Sequence, residues 1–558
     1  MFDRDAVLRW IADDPDEATR AELTELLAKA SPGSDAEAEL ADRFAGFLQF
    51  GTAGLRGAIG AGPNRMNRAV VIRTAAGLCA WLADAVGPDF SVVIGCDARY
   101  GSEQFARDTA AVVTAAGGRA MLLPPRQPTP VLAFAVRHLA TDAAVMVTAS
   151  HNPPQDNGYK VYLGGRAVTG SGQGTQIVPP YDAEIAARIN AVESVSAVPR
   201  AESGWTQLGD EVRQAYLARV VSLVPAGGRP GLRIALTTMH GVGGDTVLRA
   251  LRGAGFDDLH VVDAQFEPDP DFPTVAFPNP EEPGALDLGL ELAQRVGADI
   301  LLALDPDADR CSVALPMRSG WRQLTGDQVG WLLGEQAGQD AARSGGGVLA
   351  CSIVSSRMLE RIAASHGLEH AYTLTGFKWI SRVDGLVFGY EEAIGYCVDP
   401  EFVRDKDGIS ACLRVAQLAA TLAGEGETLA DLLDRLERRH GAHATAPLTI
   451  RVADLSRIER VMAGLRARPP AELAGSPVAE SADLSDGWRG LPPTDALWFR
   501  TEVDDRVVVR PSGTEPKLKC YLESIVPVEG DLQDAREQAA ARVAAVRADM
   551  QRLIDAAG

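Results

Sequence analysis

A serine stands at the end of one apolar run and is followed at once by a histidine, an asparagine and two prolines, in VTASHNPPQDNGYK starting at Val147. We expect Ser150 to be exposed there, between neighbours stiffened by the fixed φ of proline. A serine hydroxyl is a poor nucleophile alone, but it can carry a phosphoryl group when a cation and basic groups stabilise the transfer. A turn with a capping serine and a structural histidine is the alternative. The GxSxG pattern of acyl-transfer enzymes is absent from this segment.

Three carboxylates follow a second apolar run. Asp305, Asp307 and Asp309 occupy alternate positions directly after five apolar residues. Carboxylates with this spacing at a strand end can converge on one hard cation. An EF-hand loop is excluded because its sixth position would be Arg310 and its twelfth Pro316. A solvated acidic turn is the alternative, and the apolar run before it disfavours that interpretation.

The segment VRPSGTEPKLK, starting at Val509, has the composition of a phosphate-binding loop. Arg510 offers a guanidinium, Ser512 and Thr514 offer hydroxyls, and Gly513 leaves neighbouring backbone N–H groups accessible. A plain β-turn built on proline and glycine explains the same residues. Both interpretations stay open for this segment taken alone.

Two charged segments precede it. In FGYEEAIGY the adjacent Glu391 and Glu392 stand among small residues and suit hydrogen bonds to sugar hydroxyls. In VRDKDG, Lys406 lies between two aspartates and is either a proton carrier or part of a charge-rich turn. A glycine-rich segment near the N-terminus contains Arg56 but lacks the Lys-Ser/Thr pair of a P-loop. Neither an ATP site nor a dinucleotide site is predicted.

These segments need elements that position them, and the chain provides strands that end abruptly in polar residues. The runs of this kind are 91–99, 144–152, 232–244, 299–310 and 347–356. Amphipathic helices are predicted between and after them, at 66–87, 245–256, 409–424 and 531–558. This alternation predicts parallel α/β architecture, whose ligands bind beyond the carboxyl ends of the strands. We also predict a linker at 441–447 and a long surface loop at 466–493.

Length and composition limit the function further. The 558 residues exceed one hydrophobic core, so three or four domains are expected. A net charge of −21 argues against nucleic acid or an anionic membrane as a partner. The seven scattered cysteines indicate reduced thiols. No signal segment and no apolar run near about 20 residues is evident, which predicts a cytoplasmic protein.

Taken in order, these motifs resemble the α-D-phosphohexomutase family, which includes phosphoglucomutases and phosphomannomutases. The resemblance spans Gly51 to about Glu523, and FPNPEEPGAL at 277–286 resembles the long branch that also holds phosphopentomutases. It implies an α/β protein of four domains around a central cleft, three of them related α/β units and the last a smaller α+β domain. The expected boundaries are 1–204, 205–322, 323–445 and 446–558.

The resemblance also implies roles for individual residues. It implies catalytic roles for Ser150, His151, Lys160, Arg310 and Lys406. It implies substrate binding by Arg56, Thr375, Gly376, Glu391, Arg510, Ser512, Gly513 and Thr514. It further implies Mg2+ held by Asp305, Asp307, Asp309 and a phosphate oxygen on Ser150.

The implied reaction interconverts glucose 1-phosphate and glucose 6-phosphate through a phosphoserine, with glucose 1,6-bisphosphate as intermediate and activator. A small phosphosugar is the expected partner. Many relatives carry a serine where this chain has Ala393, so mannose and pentose phosphates remain alternative substrates. A metal-dependent phosphatase and a non-catalytic sugar-phosphate sensor are the less favoured alternatives.

Overall fold

A computed structural model describes residues 2–51, 54–225, 231–318, 320–452, 455–512 and 517–557. Within these ranges the strands form four sheets. The chain divides into two compact units, of which unit 1 comprises Met1–Leu324 and Ala393–Thr421 and unit 2 comprises Thr325–Glu392 and Leu422–Gly558. Helices and strands are numbered in chain order.

The first sheet of unit 1 carries the serine motif. Its elements, with the helices before and around it, are α1 Arg4–Asp13, α2 Glu17–Lys29, α3 Asp35–Arg43, β1 Leu55–Ala58, α4 Arg68–Val86, β2 Ser91–Cys96, α5 Ser102–Ala115, β3 Arg119–Leu122, α6 Thr129–His138, β4 Ala143–Val147, β5 Asp156–Leu163, β6 Thr175–Gln176, α7 Tyr181–Asn190 and β7 Thr206–Gln207. The strand order is β1-β5-β4-β2-β3-β7, and β6 pairs with β5. Strands β4, β2, β3 and β7 are parallel, whereas β5 runs antiparallel to β4.

The second sheet of unit 1 carries the aspartate motif. Its elements are α8 Glu211–Ser222, β8 Ile234–Thr237, α9 Gly244–Gly253, β9 Leu259–Val261, α10 Asp263–Phe266, α11 Asp287–Val296, β10 Ile300–Leu304, β11 Cys311–Met317 and β12 Gly320–Gln323. The order is β12-β11-β10-β8-β9, with β9, β8 and β10 parallel. The fully buried strand β10 therefore delivers the three aspartates at its carboxyl end.

A third sheet begins unit 2. Its elements are α12 Gly326–Ser344, β13 Val348–Ser352, α13 Met358–Ser365, β14 Glu369–Thr373, α14 Phe377–Ile380 and β15 Leu386–Glu391. Strand β13 lies between β14 and β15 and is parallel to both. Strand β15 ends at Glu391, so the paired glutamates also stand at a carboxyl strand end.

The chain then returns to unit 1 with β16 Gly395–Cys397 and α15 Gly408–Gly424. Gly395 forms a β-bridge with Arg310, and the N–H of Gly408 donates to the carbonyl of Ala308 at 3.2 Å. A Cβ at position 408 would lie 2.3 Å from the carbonyl oxygen of Arg310, so this close approach requires glycine. The segment containing Lys406 is therefore fixed against the aspartate loop.

Unit 2 closes with an antiparallel sheet. Its elements are α16 Leu429–His440, β17 Ala442–Arg451, α17 Leu455–Ala467, β18 Glu472–Leu473, β19 Ser476–Asp483, β20 Leu497–Thr501, β21 Arg506–Pro511, β22 Lys517–Val526 and α18 Leu532–Ala557. The order is β17-β22-β21-β20-β19-β18. Residues of α17 and α18 form one core with the inner face of this sheet.

Two sequence predictions are wrong in this region. The segment 441–447, predicted as a linker, belongs to the long strand β17. The segment 466–493, predicted as a surface loop, contains β18 and β19. Strand β19 exposes or half-exposes all but its first residue and consists of small and polar residues, so it lacks the apolar alternation that predicts strands. Backbone pairing to β20 holds it in place.

Helix α4 is the central helix of unit 1. Among the described residues it is the one helix long and apolar enough to cross a membrane by length and composition, with a mean hydropathy of 1.6 over its most apolar window. Our sequence prediction found no such segment. Of that window, 61% is buried inside the protein, where α4 packs in the core beneath the first sheet. Burial of this kind is typical of a core helix.

Candidate active site

Ser150 lies three residues beyond the end of β4, at the floor of the site. Its side chain is only 2% exposed, so the prediction of an exposed serine is wrong. The backbone takes the left-handed conformation there, with a φ of 51°, which is uncommon for a residue other than glycine. In this conformation the Oγ of Ser150 donates to Oδ2 of Asp305 at 2.7 Å and lies 3.2 Å from Nδ1 of His151. The serine therefore faces the aspartate loop directly.

The three aspartates converge as their spacing predicted. Each is fully buried, and one carboxylate oxygen from each lies within 4.8 Å of the other two. Oδ1 of Asp307 and Oδ1 of Asp309 have no hydrogen-bond partner within the described part of the chain. Buried carboxylate oxygens without a donor are costly, and a hard cation with oxygen ligands relieves that cost. These three carboxylates are therefore suitable ligands for a divalent cation such as Mg2+.

Lys160 partly balances this negative charge. Its Nζ lies 2.8 Å from both Oδ2 of Asp307 and Oδ2 of Asp309. Strand β5 places it there, since Lys160 is paired with Met146 on β4. Burial alone would lower the pKa of Lys160, but the two carboxylates reverse the effect and raise it, so this ammonium stays charged.

The carboxyl groups themselves differ. Burial, reinforced by the charges of Asp307 and Asp309, raises the pKa of Asp305 well above its ordinary value. Burial would also raise the pKa of Asp307, but Lys160 and the hydrogen bonds with Thr129 and Asp305 together outweigh burial, and the net pKa is lowered. A pair of like carboxyl groups whose pKa values are pushed apart in this way is typical of a functional site.

Lys406 reaches the same aspartates from the loop before α15. Its Nζ lies 3.2 Å from Oδ2 of Asp309 and 3.8 Å from Oδ1 of Asp405. Asp405 is held in turn, because Oδ2 accepts from the hydroxyl of Tyr162 at 2.6 Å and from Nε2 of Gln176 at 2.8 Å. The ammonium of Lys406 therefore lies beside a carboxylate that is itself buried and hydrogen-bonded.

Two arginines lie near the serine loop. The backbone N–H of Arg310 donates to Oδ1 of Asp305 at 3.0 Å, and its Nε lies 3.8 Å from Asp309. Nη1 of the exposed Arg56 donates to Oδ1 of Asn152 at 3.3 Å, two residues after Ser150. Burial, and then Arg310 and Arg56, hold the pKa of the neighbouring His151 imidazole well below its usual range, so the ring is neutral at pH 7.

Thr129 and Arg99 are two unit 1 residues of this site that sequence reasoning missed. Thr129 begins α6, and its Oγ1 donates to Oδ2 of Asp307 at 2.6 Å. No local signal marks it, because the contact joins residues 178 positions apart. Arg99 stands in the polar tail of the predicted strand run 91–99, and its guanidinium donates to the carbonyl of Ser150 at 2.6 Å. That tail was a usable signal.

The glutamate segment belongs to unit 2. Glu391 is 7% exposed at the end of β15, and Glu392 accepts hydrogen bonds from the hydroxyls of Ser352 and Ser355 at 3.1 and 2.9 Å. Those serines lie at and just beyond the end of β13, so residues from the carboxyl ends of β13 and β15 contact each other. Thr375 and Gly376 lie before α14, where both are half-buried.

The phosphate-loop prediction lies only partly in the described residues. Arg510 is half-buried on β21, and Ser512 donates its N–H to the carbonyl of Lys517 at 2.8 Å. Gly513 and Thr514 lie outside the described residues. The two remaining members therefore stand at the loop end of the β21–β22 hairpin.

Lys519, another residue that sequence reasoning missed, is the cross-strand partner of Arg510 on β22. Side chains paired in this way project from the same face, and two like charges placed so are unfavourable unless an anion lies between them. Tyr521 follows two residues later on the same face. Burial, and then the charge of Glu392, raise the pKa of its hydroxyl, while Arg510 opposes the shift. This face offers two cations for one anion.

The structure thus gathers all five predicted catalytic residues into one site. The groups that meet in unit 1 are Ser150, His151, Lys160, Asp305, Asp307, Asp309, Arg310 and Lys406, with Arg56 beside the serine loop. The predicted substrate-binding residues Thr375, Gly376, Glu391, Arg510 and Ser512 belong to unit 2. A nucleophile, a cation site and fixed ammonium groups within one site suit phosphoryl transfer.

Comparison with known proteins assigns most of the chain to one family. Residues 48–196, 214–317 and 325–439 match the phosphoglucomutase/phosphomannomutase alpha/beta/alpha domains I, II and III, and residues 451–546 match the C-terminal domain of the same family. The predicted architecture of three α/β domains and a distinct last domain is therefore confirmed. The exact boundaries between domains stay predictions.

Individual relatives extend along most of the chain. A "Probable phosphomannomutase" of Haemophilus influenzae is 46% identical over 464 residues, covering 82% of this chain and 93% of that protein. A "Probable phosphoribomutase" of Schizosaccharomyces pombe is 35% identical over 568 residues, covering 93% of each. A solved phosphoglucomutase/phosphomannomutase family protein of Burkholderia thailandensis shares the fold at a TM-score of 0.69 and 22% identity, covering 91% and 97% of the two chains. The chain belongs to the α-D-phosphohexomutase family of phosphosugar mutases.

Proposed function

We propose that this protein moves a phosphoryl group between two hydroxyls of a sugar monophosphate by way of a phosphoserine at Ser150. The observation that carries the proposal is the 2.7 Å hydrogen bond from Oγ of Ser150 to Asp305, one of three convergent buried carboxylates. A nucleophile so close to a cation site is poised for phosphoryl transfer. A structural turn has no need of such a neighbour.

The reaction consists of two transfers. The bond from phosphorus to Oγ of Ser150 breaks as a bond to a sugar oxygen forms, and the proton of the sugar hydroxyl ends on Oγ. The resulting bisphosphate turns round, and its other phosphoryl group returns to Ser150.

Fixed charges of the chain lower the barrier. Asp305, Asp307 and Asp309 would hold Mg2+ together with an oxygen of the phosphoserine. Bound there, Mg2+ supplies charge neutralisation of the kind worth several kcal/mol in phosphoryl transfer. Lys160 holds two of the carboxylates in place, and Arg310 stands beside the same loop.

Proton transfer is assigned to Lys406 and to the neutral His151. Lys406 is anchored by Asp309 and Asp405, so its ammonium is held at a fixed point. His151 lies 3.2 Å from Oγ of Ser150. We assign the sugar hydroxyls to Glu391, and the phosphate that is not transferred to the Arg510 loop.

For the sugar we propose glucose, with glucose 1,6-bisphosphate as the intermediate and activator. Ribose is the second candidate, because a relative named as a probable phosphoribomutase covers 93% of this chain and of its own length. Mannose is a third, since the more identical relative is named as a probable phosphomannomutase. Ala393 removes one hydroxyl contact and so favours relaxed selectivity among the three.

The test is a comparison of turnover on glucose 1-phosphate, mannose 1-phosphate and ribose 1-phosphate, with and without glucose 1,6-bisphosphate. We expect isomerisation without release of inorganic phosphate, and the highest kcat/KM for glucose 1-phosphate. A much higher kcat/KM for ribose or mannose 1-phosphate would reassign the sugar and leave the mutase intact. Release of phosphate as the main product would indicate a phosphatase, and no turnover of any kind a sensor.

The role of Ser150 has its own test. Ser150→Ala should abolish turnover and the phosphorylated mass of the serine peptide, while Ser222→Ala, an exposed serine on α8, should change neither. Near wild-type turnover in Ser150→Ala would exclude the phosphoserine route.

We also propose a cytoplasmic location. All seven cysteines are unpaired and buried. Reduced thiols in this number are typical of a reducing compartment. Fluorescence of a tagged chain within intact cells tests this assignment.

A further inference from the structure

Arg99 lies beneath the serine loop and contacts its backbone at several points. The side chain is 1% exposed. Its Nη2 donates to the carbonyl oxygens of Ser150 at 2.6 Å and of Asn152 at 2.5 Å. Its Nη1 donates to the carbonyl oxygens of Pro153 at 2.8 Å and of Asp156 at 3.1 Å. One guanidinium thus donates hydrogen bonds to four carbonyl oxygens of the loop between Ser150 and Asp156, where β5 begins.

The guanidinium is itself held from behind. Oδ1 of Asp97 accepts from the backbone N–H of Arg99 at 2.9 Å and from the hydroxyl of Ser102 at 2.7 Å, and its Oδ2 lies 3.5 Å from Nε of Arg99. The ring of Phe272 lies 5.0 Å from Cζ of Arg99. Asp97 directly follows β2, Ser102 begins α5 and Phe272 lies in the loop between α10 and α11, so three separate segments hold Arg99 in position.

The loop it contacts is one that needs holding. Ser150 has a φ of 51°, a conformation that non-glycine residues seldom adopt and that costs about 1 kcal/mol or more. The carbonyl of Ser150 is the group that Arg99 binds, so the hydrogen bond fixes the peptide plane directly after the strained residue. That plane fixes ψ of Ser150 and so holds the Cα from which Oγ projects toward Asp305.

We propose that Arg99 is a positioning residue for phosphoryl transfer, which holds the loop 150–156 so that the oxygen of Ser150 stays aligned with the aspartate site. The inference rests on the proposed role of Ser150. Arg99 acts through the backbone and touches neither the sugar nor its phosphates. Transfer depends steeply on alignment, and a displacement of about 1 Å can lower a rate roughly 100-fold.

A merely structural brace would behave differently. Loss of a brace lowers the folded fraction but leaves the rate per folded molecule unchanged. Loss of a positioning residue lowers the rate of transfer per folded molecule and leaves substrate affinity nearly unchanged, because the binding residues are elsewhere. The two roles are therefore separable by measurement.

The experiment compares Arg99→Ala and Arg99→Lys with Arg107→Ala as the matched control. Arg107 lies on α5, is 57% exposed and pairs only with Glu103 among the contacts that the structure describes. For each protein the folded fraction is measured by circular dichroism. Single-turnover transfer from glucose 1,6-bisphosphate to Ser150 is then followed by intact mass, together with kcat and KM.

We expect transfer and kcat in folded Arg99→Ala to fall about 100-fold, with KM within about threefold of wild type. Lysine keeps the charge but lacks the planar fork that reaches several carbonyls, so Arg99→Lys should lose about tenfold. Arg107→Ala should match wild type. If Arg99→Ala does not fold, the Arg99→Lys result decides alone.

Unchanged transfer per folded molecule in Arg99→Lys, or in a folded Arg99→Ala, would overturn the proposal. Hydrogen exchange of the peptide covering 148–158 separates this failure from a failure of the phosphoserine assignment. Faster hydrogen exchange of this peptide in Arg99→Lys than in Arg107→Ala supports the claim that Arg99 holds the loop. That holds even if wild-type Ser150 takes up no phosphate. Wild-type protein that fails to take up phosphate at Ser150 refutes the proposed function instead.

Discussion

Two buried ionic clusters, one in each unit, use similar residues in opposite ways. In unit 1 three aspartates are fully buried, Lys160 lies beside Asp307 and Asp309, and Lys406 lies beside Asp309. Two of the aspartate oxygens lack a hydrogen-bond donor among the described residues. In unit 2 a single buried carboxylate, Glu523, accepts from the hydroxyl of Ser356 at 2.7 Å, from Nε of Arg357 at 2.7 Å and from His443 at 3.1 Å. The first cluster has too few donors for its acceptors, and the second has enough.

The pKa values follow this difference. In the aspartate cluster burial and mutual repulsion raise the pKa of Asp305, while Lys160 lowers that of Asp307. Burial would raise the pKa of Glu523 too, but Arg506 and Arg357 outweigh burial and hold it well below its ordinary value. A buried carboxylate that receives enough hydrogen bonds and positive charge from its own chain stabilises the fold. A cluster left short of positive charge is suited to binding a cation, and its cost to stability is accepted for function.

The largest expected effect concerns turnover. Asp307→Asn weakens the proposed cation site and should lower kcat roughly 1000-fold, about 4 kcal/mol of transition-state stabilisation. The free energy of unfolding should change little, because the lost attraction to Lys160 is offset by the lost repulsion of Asp305 and Asp309. Steady-state kinetics and urea unfolding check both parts, with Asp245→Asn, which is 55% exposed, as the control. Normal turnover in Asp307→Asn would contradict the functional reading of the cluster.

The second effect concerns stability. Glu523→Gln leaves two buried arginines short of their counter-charge and should lower the free energy of unfolding by about 3 kcal/mol. Turnover per folded molecule should stay near wild type. Glu480→Gln, which breaks a more exposed pair with Arg489, should cost less than about 1 kcal/mol. Equal losses in the two variants would show that the Glu523 cluster is not a structural one.

Cation binding should stabilise only the first cluster. At a concentration near 100 times its Kd, Mg2+ should add about 2.7 kcal/mol to the stability of wild type. Thermal unfolding with and without EDTA measures the shift, which Asp307→Asn should lose and Glu523→Gln should keep. An equal shift in Asp307→Asn would place the cation elsewhere.

A pH dependence should come from the second cluster. The folded pKa of Glu523 lies below its unfolded value, so its stabilisation is present above about pH 4.3 and is lost as the pH falls through the folded pKa. Denaturant midpoints between pH 6 and pH 3 should therefore fall more in wild type than in Glu523→Gln. Parallel curves for the two proteins would contradict this assignment.

The smallest effect concerns the sugar. Ala393→Ser restores one hydroxyl beside Glu391, and a neutral hydrogen bond is worth roughly 0.5–1.5 kcal/mol. The ratio of kcat/KM for glucose 1-phosphate to that for ribose 1-phosphate should rise by up to about tenfold. Ala411→Ser, at a buried position on α15, is the control for added polarity. An unchanged ratio would show that residue 393 does not influence sugar selectivity.

Sequence predicted the parts of this molecule whose pattern is local. The run ILLAL followed by alternate aspartates is visible within ten residues, and the structure places β10 and the carboxylate cluster there. Strand β19 was missed because its side chains are small and polar, and its backbone partners lie about 20 residues away. Thr129 was missed because its hydroxyl meets Asp307 only after two sheets have assembled. Contacts between segments that are far apart in the chain leave no periodic pattern in the sequence.

The composition of unit 1 has a consequence for how the protein is made. Ala393–Thr421 belongs to unit 1 but follows the first part of unit 2 in the chain. A ribosome adding about 5–20 residues per second needs roughly 5–20 s to advance from Leu324 to Thr421. During that interval the nascent aspartate cluster has Lys160 but lacks Lys406, and Ala308 lacks the N–H of Gly408. Synthesis past Gly408, well beyond the serine and aspartate motifs, supplies the last of these contacts to the candidate active site.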